Sequence, residues 1–369
     1  MKINHLDLFS GIGGFHLGFE KAGFEVNSYF SEIDKYAIDV YKNNFKNSKY
    51  VGSVTDVRAE QLPRIDAITF GSPCQDFSLA GKRKGMGGDR SSLITEAIRL
   101  IDECRPRFFI WENVKGTFSS NNGEDFWAII QAFTNIGGYR LEWQLLNTKW
   151  FLPQNRERIY LVGYLGDGSG GQVFPIRETT RPNIKSSKKQ DNKSLIHTIC
   201  TNYWRFANDT PVIKVKNKSV IGYSRDSKGK VTSYHKKDEA NTLHSSSGSG
   251  GNTDQYIYNY GQKSLNETLQ KENLSNEDVK ALDLYNKKAK DDCPTLTEPH
   301  HNTLRLYEKG LIRRLTPIEC ERLQGFPDNW TEYGESGKIS DTQRYKMCGN
   351  AVTVDVVEAV AKNIIKVIK

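Results

Sequence analysis

Ile3-Asn4-His5-Leu6-Asp7-Leu8-Phe9-Ser10-Gly11-Ile12-Gly13-Gly14 begins as a loosely alternating apolar run and ends in a glycine turn. Phe15, Leu17, Gly18, Phe19 and Ala22 continue at helical spacing, so the reading is strand, tight turn, helix. Glycines let a ligand approach the backbone, and open amides at a helix start suit a carboxylate or a nucleotide. Taken alone, the turn is equally a structural one. A second strand, Phe24 to Phe30, runs into Ser31-Glu32-Ile33-Asp34 ahead of a helix carrying Tyr36, Ala37, Val40, Tyr41 and Phe45. An acid about 20 residues past a glycine turn is placed for ribose hydroxyls. The other reading of Glu32 is a helix-start carboxylate, which suits Asp34 at least as well. Strands alternating with helices predict an α/β sheet.

Working outward, Ala67-Ile68-Thr69-Phe70 reads as a buried strand followed by Gly71-Ser72-Pro73-Cys74-Gln75-Asp76-Phe77-Ser78. That places a thiol at the C-terminal edge of the sheet, where ligands gather in α/β proteins. A lone cysteine is more often an inert core residue. The glycine-rich, basic stretch 79–90 lacks apolar periodicity and should form a mobile loop, after which Ser91-Ser92-Leu93 opens a helix. The strand Phe108-Phe109-Ile110-Trp111 then delivers Glu112-Asn113-Val114 to the same edge. Strands over 141–146 and 159–165 flank Pro153-Gln154-Asn155-Arg156-Glu157-Arg158, whose arginines would share one face of an extended segment. A surface charge ladder is the alternative.

The chain of 369 residues is 37% hydrophobic and 26% charged, enough for two domains with a real core. Six cysteines without a Cys-x-x-Cys pair fit neither a disulfide framework nor a zinc site and suggest a reducing, cytoplasmic compartment. The N-terminus lacks a signal-peptide core, and no apolar run reaches a membrane span. Residues 181–240 hold 14 Lys/Arg against 5 Asp/Glu, a surplus larger than the whole chain's +8. With aromatics among them, these residues suit a polyanion; a solvated basic face is the bland reading.

Composition shifts after Tyr164, and 166–311 reads as a separate, smaller, irregular β-rich domain. It contains short β-like runs, a flexible Ser/Gly loop at 245–251, a helix from Ser275 to about Lys288, and Thr-Leu pairs at 242 and 295. Thr316-Pro317-Ile318-Glu319 then carries a capping box, and Val352, Val356, Val357, Val360 and Ile364 form one face of a final helix returning to the first domain. The expected division is 1–165, 166–311 and 312–369.

Six stretches in order resemble the DNA (cytosine-5) methyltransferases over about two thirds of the chain. They are Asp7 to Gly14, Gly71 to Gln75, Glu112 to Val114, Gln154 to Arg158, Arg314 to Cys320 with Gln324 to Pro327, and Gly349-Asn350-Ala351-Val352. The resemblance implies a Rossmann-like, mostly parallel mixed sheet, with 166–311 as target recognition domain. S-adenosyl-L-methionine would be the methyl donor, S-adenosyl-L-homocysteine its product, and no metal is required. Cys74 would be a nucleophile adding to C6 of a flipped-out cytosine. Glu112 would hold N3 and the exocyclic amine, while Arg156 and Arg158 supply positive charge and hold O2.

Cofactor positions carry over as Phe9, Gly11, Ile12, Gly14, Glu32, Ile33, Ser53, Val54, Pro73, Leu93 and Asn350. Ile33 stands where relatives often have Trp, and Gly52-Ser53-Val54 where they often have Gly-Asp-Ile, so Ser53 or Asp56 would meet the adenine amine. Gln75, Ser78, Lys82, Arg83, Arg90, Thr295 and Arg313 are the expected DNA contacts, and the 76–92 loop would close over the flipped base. Thr295-Leu296 best matches the pair ending the recognition region, with the Thr-Leu at 242 competing. The expected partner is double-stranded DNA, bound by a monomer, with possible pairing to a restriction endonuclease. A tRNA methyltransferase and an inactive DNA-binding homologue are the rival readings.

Overall fold

Strand β1 (Lys2–Leu8) opens the first of two compact units in this computed structural model. The structure describes residues 1–72, 93–165, 171–177, 213–214, 220–225, 231–237, 279–283, 288–296, 304–308, 311–313 and 315–368. The first unit comprises Met1–Leu195, Asp292–His301 and Thr316–Lys369; the second comprises Ile196–Asp291 and Asn302–Leu315. This contact division differs from the composition shift, since 166–195 and 292–301 belong with the first unit.

In the first unit, β1 is followed by α1 (Gly14–Ala22), β2 (Glu25–Ser31), α2 (Lys35–Asn44), β3 (Lys49–Tyr50) and β4 (Ala67–Gly71). Then come α3 (Leu93–Cys104), β5 (Phe108–Val114), α4 (Glu124–Ile136), β6 (Tyr139–Asn147), β7 (Gln154–Asn155) and β8 (Glu157–Leu165). The sheet order is β3-β2-β1-β4-β5-β8-β6. β1 to β5 pair in parallel, while β8 runs antiparallel to both β5 and β6. The order reverses between β1 and β4, the position where open α/β sheets bind ligands.

The two faces of β5 explain its unbroken apolar run. Phe108 and Ile110 join the core shared by α1 and the last helix, and Phe109 and Trp111 join the core under α3 and α4. The C-terminal helices are α5 (Pro317–Leu323), α6 (Asp341–Asn350) and α7 (Val354–Val367). Thr316 and Glu319 form the expected capping box. Val356, Val357, Val360 and Ile364 bury against Phe15 and Phe19 of α1. A Cβ at Gly18 would lie 2.4 Å from Val357 Cγ1, so α1 and α7 meet at that glycine.

The second unit contains β9 (Ile213–Lys214), a hairpin of β10 (Val220–Arg225) and β11 (Val231–Lys237), β12 (Val279–Asp283) and β13 (Lys288–Lys290). After β14 (Cys293–Pro294), which belongs to the first unit, come β15 (Leu304–Glu308) and β16 (Leu311–Arg313). They build an antiparallel sheet of order β13-β12-β15-β16-β9. The helix expected from Ser275 to Lys288 is therefore wrong over its described part. Val279–Asp283 is a strand paired on both sides, and those two ladders outweigh a local capping signal.

Beneath the glycine turn lies a buried polar network across β1, β4 and α2. Thr69 Oγ1 donates to Asp7 Oδ1 at 2.8 Å and sits 2.6 Å from His5 Nε2; the Tyr41 hydroxyl lies 3.4 Å from Asp7 Oδ2. Burial holds the Asp7 carboxyl well above its ordinary range despite these hydrogen bonds, with Glu32 adding to the rise. The folded state thus keeps a proton that the unfolded chain loses, and stability from this group falls as pH rises from about 4 through the folded pKa. Asp7→Asn mimics the protonated form without titrating. Its melting temperature relative to wild type is expected to climb across that interval and then level off. His5, whose pKa burial and His16 lower, is common to both proteins and cancels in the difference. A difference that does not change with pH would refute this.

Candidate active site

Glu112 lies on β5, two residues before its end, directly beside Gly71 of β4, to which it is paired in register. It is buried, at 8% exposure, and a Cβ at Gly71 would come within 3.2 Å of its Oε2, so that glycine makes room for the carboxylate. Arg158, on β8, brings its Nε to 3.3 Å from Glu112 Oε1. The contact is an ion pair without good hydrogen-bond geometry, and Oε1 has no hydrogen-bond partner. A buried carboxylate oxygen with unused acceptor capacity is suited to a substrate donor.

The strand carrying this carboxylate also pins the start of the cysteine stretch. Trp111 Nε1 donates to Ser72 Oγ at 3.1 Å, and Asn113 Nδ2 donates to the Ser72 carbonyl at 3.1 Å. Asn113 Oδ1 accepts from the Val114 amide and the Thr117 hydroxyl, which fixes the orientation of its amide. These anchors were not recognised from sequence, although Asn113 stands inside the Glu-Asn-Val stretch that announces them. Pro73, Cys74, Gln75, Ser78, Lys82, Arg83, Arg90 and the 76–92 loop lie outside the described residues.

Arg156 has other hydrogen-bond partners than Arg158. Its Nη1 donates to the carbonyls of Leu296 and Gly349 at 3.0 and 3.3 Å, and its Nη2 to Ala351 at 2.9 Å. Arg156 itself falls in the one-residue gap between β7 and β8. Burial first, then Arg158, pushes the Arg156 guanidinium down to about 10. Thr295 Oγ1 donates to the Asn155 carbonyl at 2.8 Å, and β14 pairs in parallel with β7. Thr295-Leu296 therefore lies against the Gln-Asn-Arg turn, while the Thr-Leu at 242 is outside the described residues. Arg313 belongs to β16, in the second unit.

At the switch point, Phe9, Gly11 and Gly13 have φ of 51°, 53° and 86°. Left-handed backbone at Phe9 costs of order 1–3 kcal/mol, a strain that the surrounding turn must hold. Glu32 Oε2 accepts the Gly11 amide at 2.8 Å, and its Oε1 accepts the amides of Ile33 and Asp34. Asp34 is the N-cap of α2, so the two acids separate into turn-holder and cap. A Cβ at Gly11 would meet nothing within 4 Å, and α1 starts without a side-chain cap: open space and open amides that fit an amino-acid carboxylate.

Ile33 is 78% exposed beside Glu32, whereas Ile12 and Val54 are buried. The Ser53 hydroxyl is 3.0 Å from that of Thr55, which donates to Asp56. Phe9 and Leu93 pack on the core beneath the same sheet edge. Gly14 abuts Val352, two residues past the exposed Asn350, so the last matching stretch backs onto the glycine turn. These residues fit a nucleoside carrying an amino acid.

Fold and site together define a Rossmann-like methyltransferase. The family model for C-5 cytosine-specific DNA methylase matches residues 3–366, and the chain belongs to that family. It is 31% identical to the type II methyltransferase M.Bsp6I of Bacillus sp. strain RFL6, covering 97% of each chain. It is 30% identical to the orphan methyltransferase M.SPRI of Bacillus phage SPR, over 99% of this chain and 98% of that one. Its fold resembles the Dnmt2 methyltransferase of S. pombe, with TM-score 0.56 and 17% identity over 98% and 97% of the two chains. The chain is a DNA cytosine-5 methyltransferase. No described helix is long and apolar enough to cross a membrane.

Proposed function

We propose that this enzyme methylates C5 of a cytosine flipped out of a specific duplex DNA site, with Cys74 as covalent nucleophile. S-adenosyl-L-methionine supplies an electrophilic methyl group, and Phe9, Gly11, Ile12, Gly14, Glu32, Ile33, Val54, Leu93 and Asn350 are the residues to hold it. The observation that carries the reading is Glu112: a buried carboxylate with an unused acceptor oxygen, paired to Arg158 and beside the strand that leads to Cys74. Both reacting carbons must leave the base stack, since a thiol and a methyl donor cannot reach them within the duplex.

In this mechanism the Cys74 sulfur adds to C6, breaking the C5–C6 double bond and making C5 nucleophilic. Glu112 hydrogen-bonds N3 and the exocyclic amine, so that a proton at N3 compensates the negative charge arriving with the thiolate. Arg158 orients Glu112 and faces the base oxygen. After methyl transfer, a base, taken here as water, removes the C5 proton, and the Cys74 thiolate departs.

Thr295 and the second unit, with 181–240 supplying cationic side chains, are assigned to DNA. The basic stretch supplies affinity more than specificity. Relatives named as type II and orphan methyltransferases support a protective role alongside a restriction endonuclease, or action alone. Bisulfite sequencing of DNA from cells expressing the protein is expected to show one short sequence context protected at cytosine. Methyl transfer to tRNA with none to duplex DNA would overturn the assignment of substrate.

A further inference from the structure

Arg156 is 4% exposed and forms no ion pair among the described residues, yet a buried guanidinium is costly without satisfied donors. Its Nη1 and Nη2 donate to backbone carbonyls of two segments far away in the chain, Leu296 on one side and Gly349 and Ala351 on the other, while Nε has no hydrogen-bond partner among the described residues. The latter two flank Asn350. The Arg156 backbone is held as well, its amide donating to Asn147 Oδ1 and its carbonyl accepting from Thr148. Neighbouring side chains repeat the pattern. Gln154 donates to the Leu323 carbonyl, Gln324 donates to the Cys348 carbonyl, and Thr353 donates to Gln324.

We infer that Arg156 is a positioning residue that fastens the end of α6 at Asn350, with the short loop that follows it, and Thr295-Leu296 to the strand bearing Arg158, and thereby sets cofactor affinity without acting on the base. The inference rests on the function proposed above. A planar fork reaches three carbonyls at fixed angles, which a lysine ammonium cannot reproduce although it keeps the charge. Because Val352 lies against Gly14, loosening this loop moves a wall of the cofactor turn. A residue that merely supplied positive charge to the reacting base would tolerate lysine in cofactor binding and lose only turnover.

The test is calorimetric binding of S-adenosyl-L-homocysteine to full-length wild type, Arg156→Lys, Asn350→Ala and the double variant, with circular dichroism confirming the fold. Arg156→Lys should weaken binding about tenfold, in keeping with loss of a buried charge-assisted hydrogen bond. In the Asn350→Ala background the same substitution should cost less than about twofold, because the two act through one loop. Single-turnover methylation at saturating cofactor should stay within about threefold of wild type. Arg156→Gln, which retains two neutral donors, replaces the lysine variant should that one not fold. Wild-type binding affinity in Arg156→Lys with lost turnover overturns the inference alone. Failure of the wild type to bind S-adenosyl-L-homocysteine would instead strike at the function proposed above.

Discussion

Cys74→Ala is expected to abolish methyl transfer, by more than about 10⁴-fold, while duplex binding changes by less than about threefold. The asymmetry follows from the role proposed for the sulfur. C5 of cytosine is a weak nucleophile until a thiolate has added to C6, and an alanine side chain cannot make that bond. A free thiol of pKa about 8.5 is only a few per cent ionised at neutral pH, so neighbouring positive charge matters to the rate. DNA affinity, by contrast, comes chiefly from phosphate contacts elsewhere. The measurement is a denaturation-resistant adduct with duplex DNA containing 5-fluorocytosine, formed by wild type and absent in Cys74→Ala. If wild type forms no adduct with a full panel of candidate sites, the chain is an inactive homologue.

Glu112→Gln should lower the methylation rate by about 10²–10⁴-fold at saturating cofactor and DNA. Glutamine keeps the shape that Gly71 accommodates but loses the charge facing Arg158. It can neither stabilise a proton at N3 nor accept it in full. S-adenosyl-L-homocysteine affinity should remain within about twofold, because the cofactor turn is held by Glu32 and not by Glu112. A Glu112→Gln enzyme whose single-turnover rate stays within about threefold of wild type would remove Glu112 from the chemistry. Together with the Arg156 variants, this separates residues that touch the base from those that shape its surroundings.

How legible the site was depended on whether chemistry and position share a local cause. Glu112 and Gly71 could be placed at one edge because a strand's apolar run announces where it ends, and parallel strands end together. Glu32 was singled out by its distance past the glycine turn as a ribose ligand, whereas its carboxylate accepts the Gly11 amide and so holds that turn, a contact the spacing did not announce. The partners of Arg156 were not legible, because its donors go to backbone carbonyls of segments distant in the chain. The expected helix at 275–288 failed in the opposite way: its capping signal is genuine but local, and β13 and β15 claim the segment from either side.

The amino-acid sequence by itself determined the α/β class, the strand–turn–helix at Ile3 to Ala22 and the capping box at Thr316. Each is written in spacing, glycine placement or residue type over a few turns of chain. Only the tertiary structure decided which arginine meets the carboxylate, what anchors Ser72, and that Leu296, Gly349 and Ala351 converge on one guanidinium. Those partners lie 140 to 195 residues from Arg156. Their carbonyls are backbone groups that every residue carries, so side-chain identities hold no record of which ones will meet, and chain folding alone makes the selection.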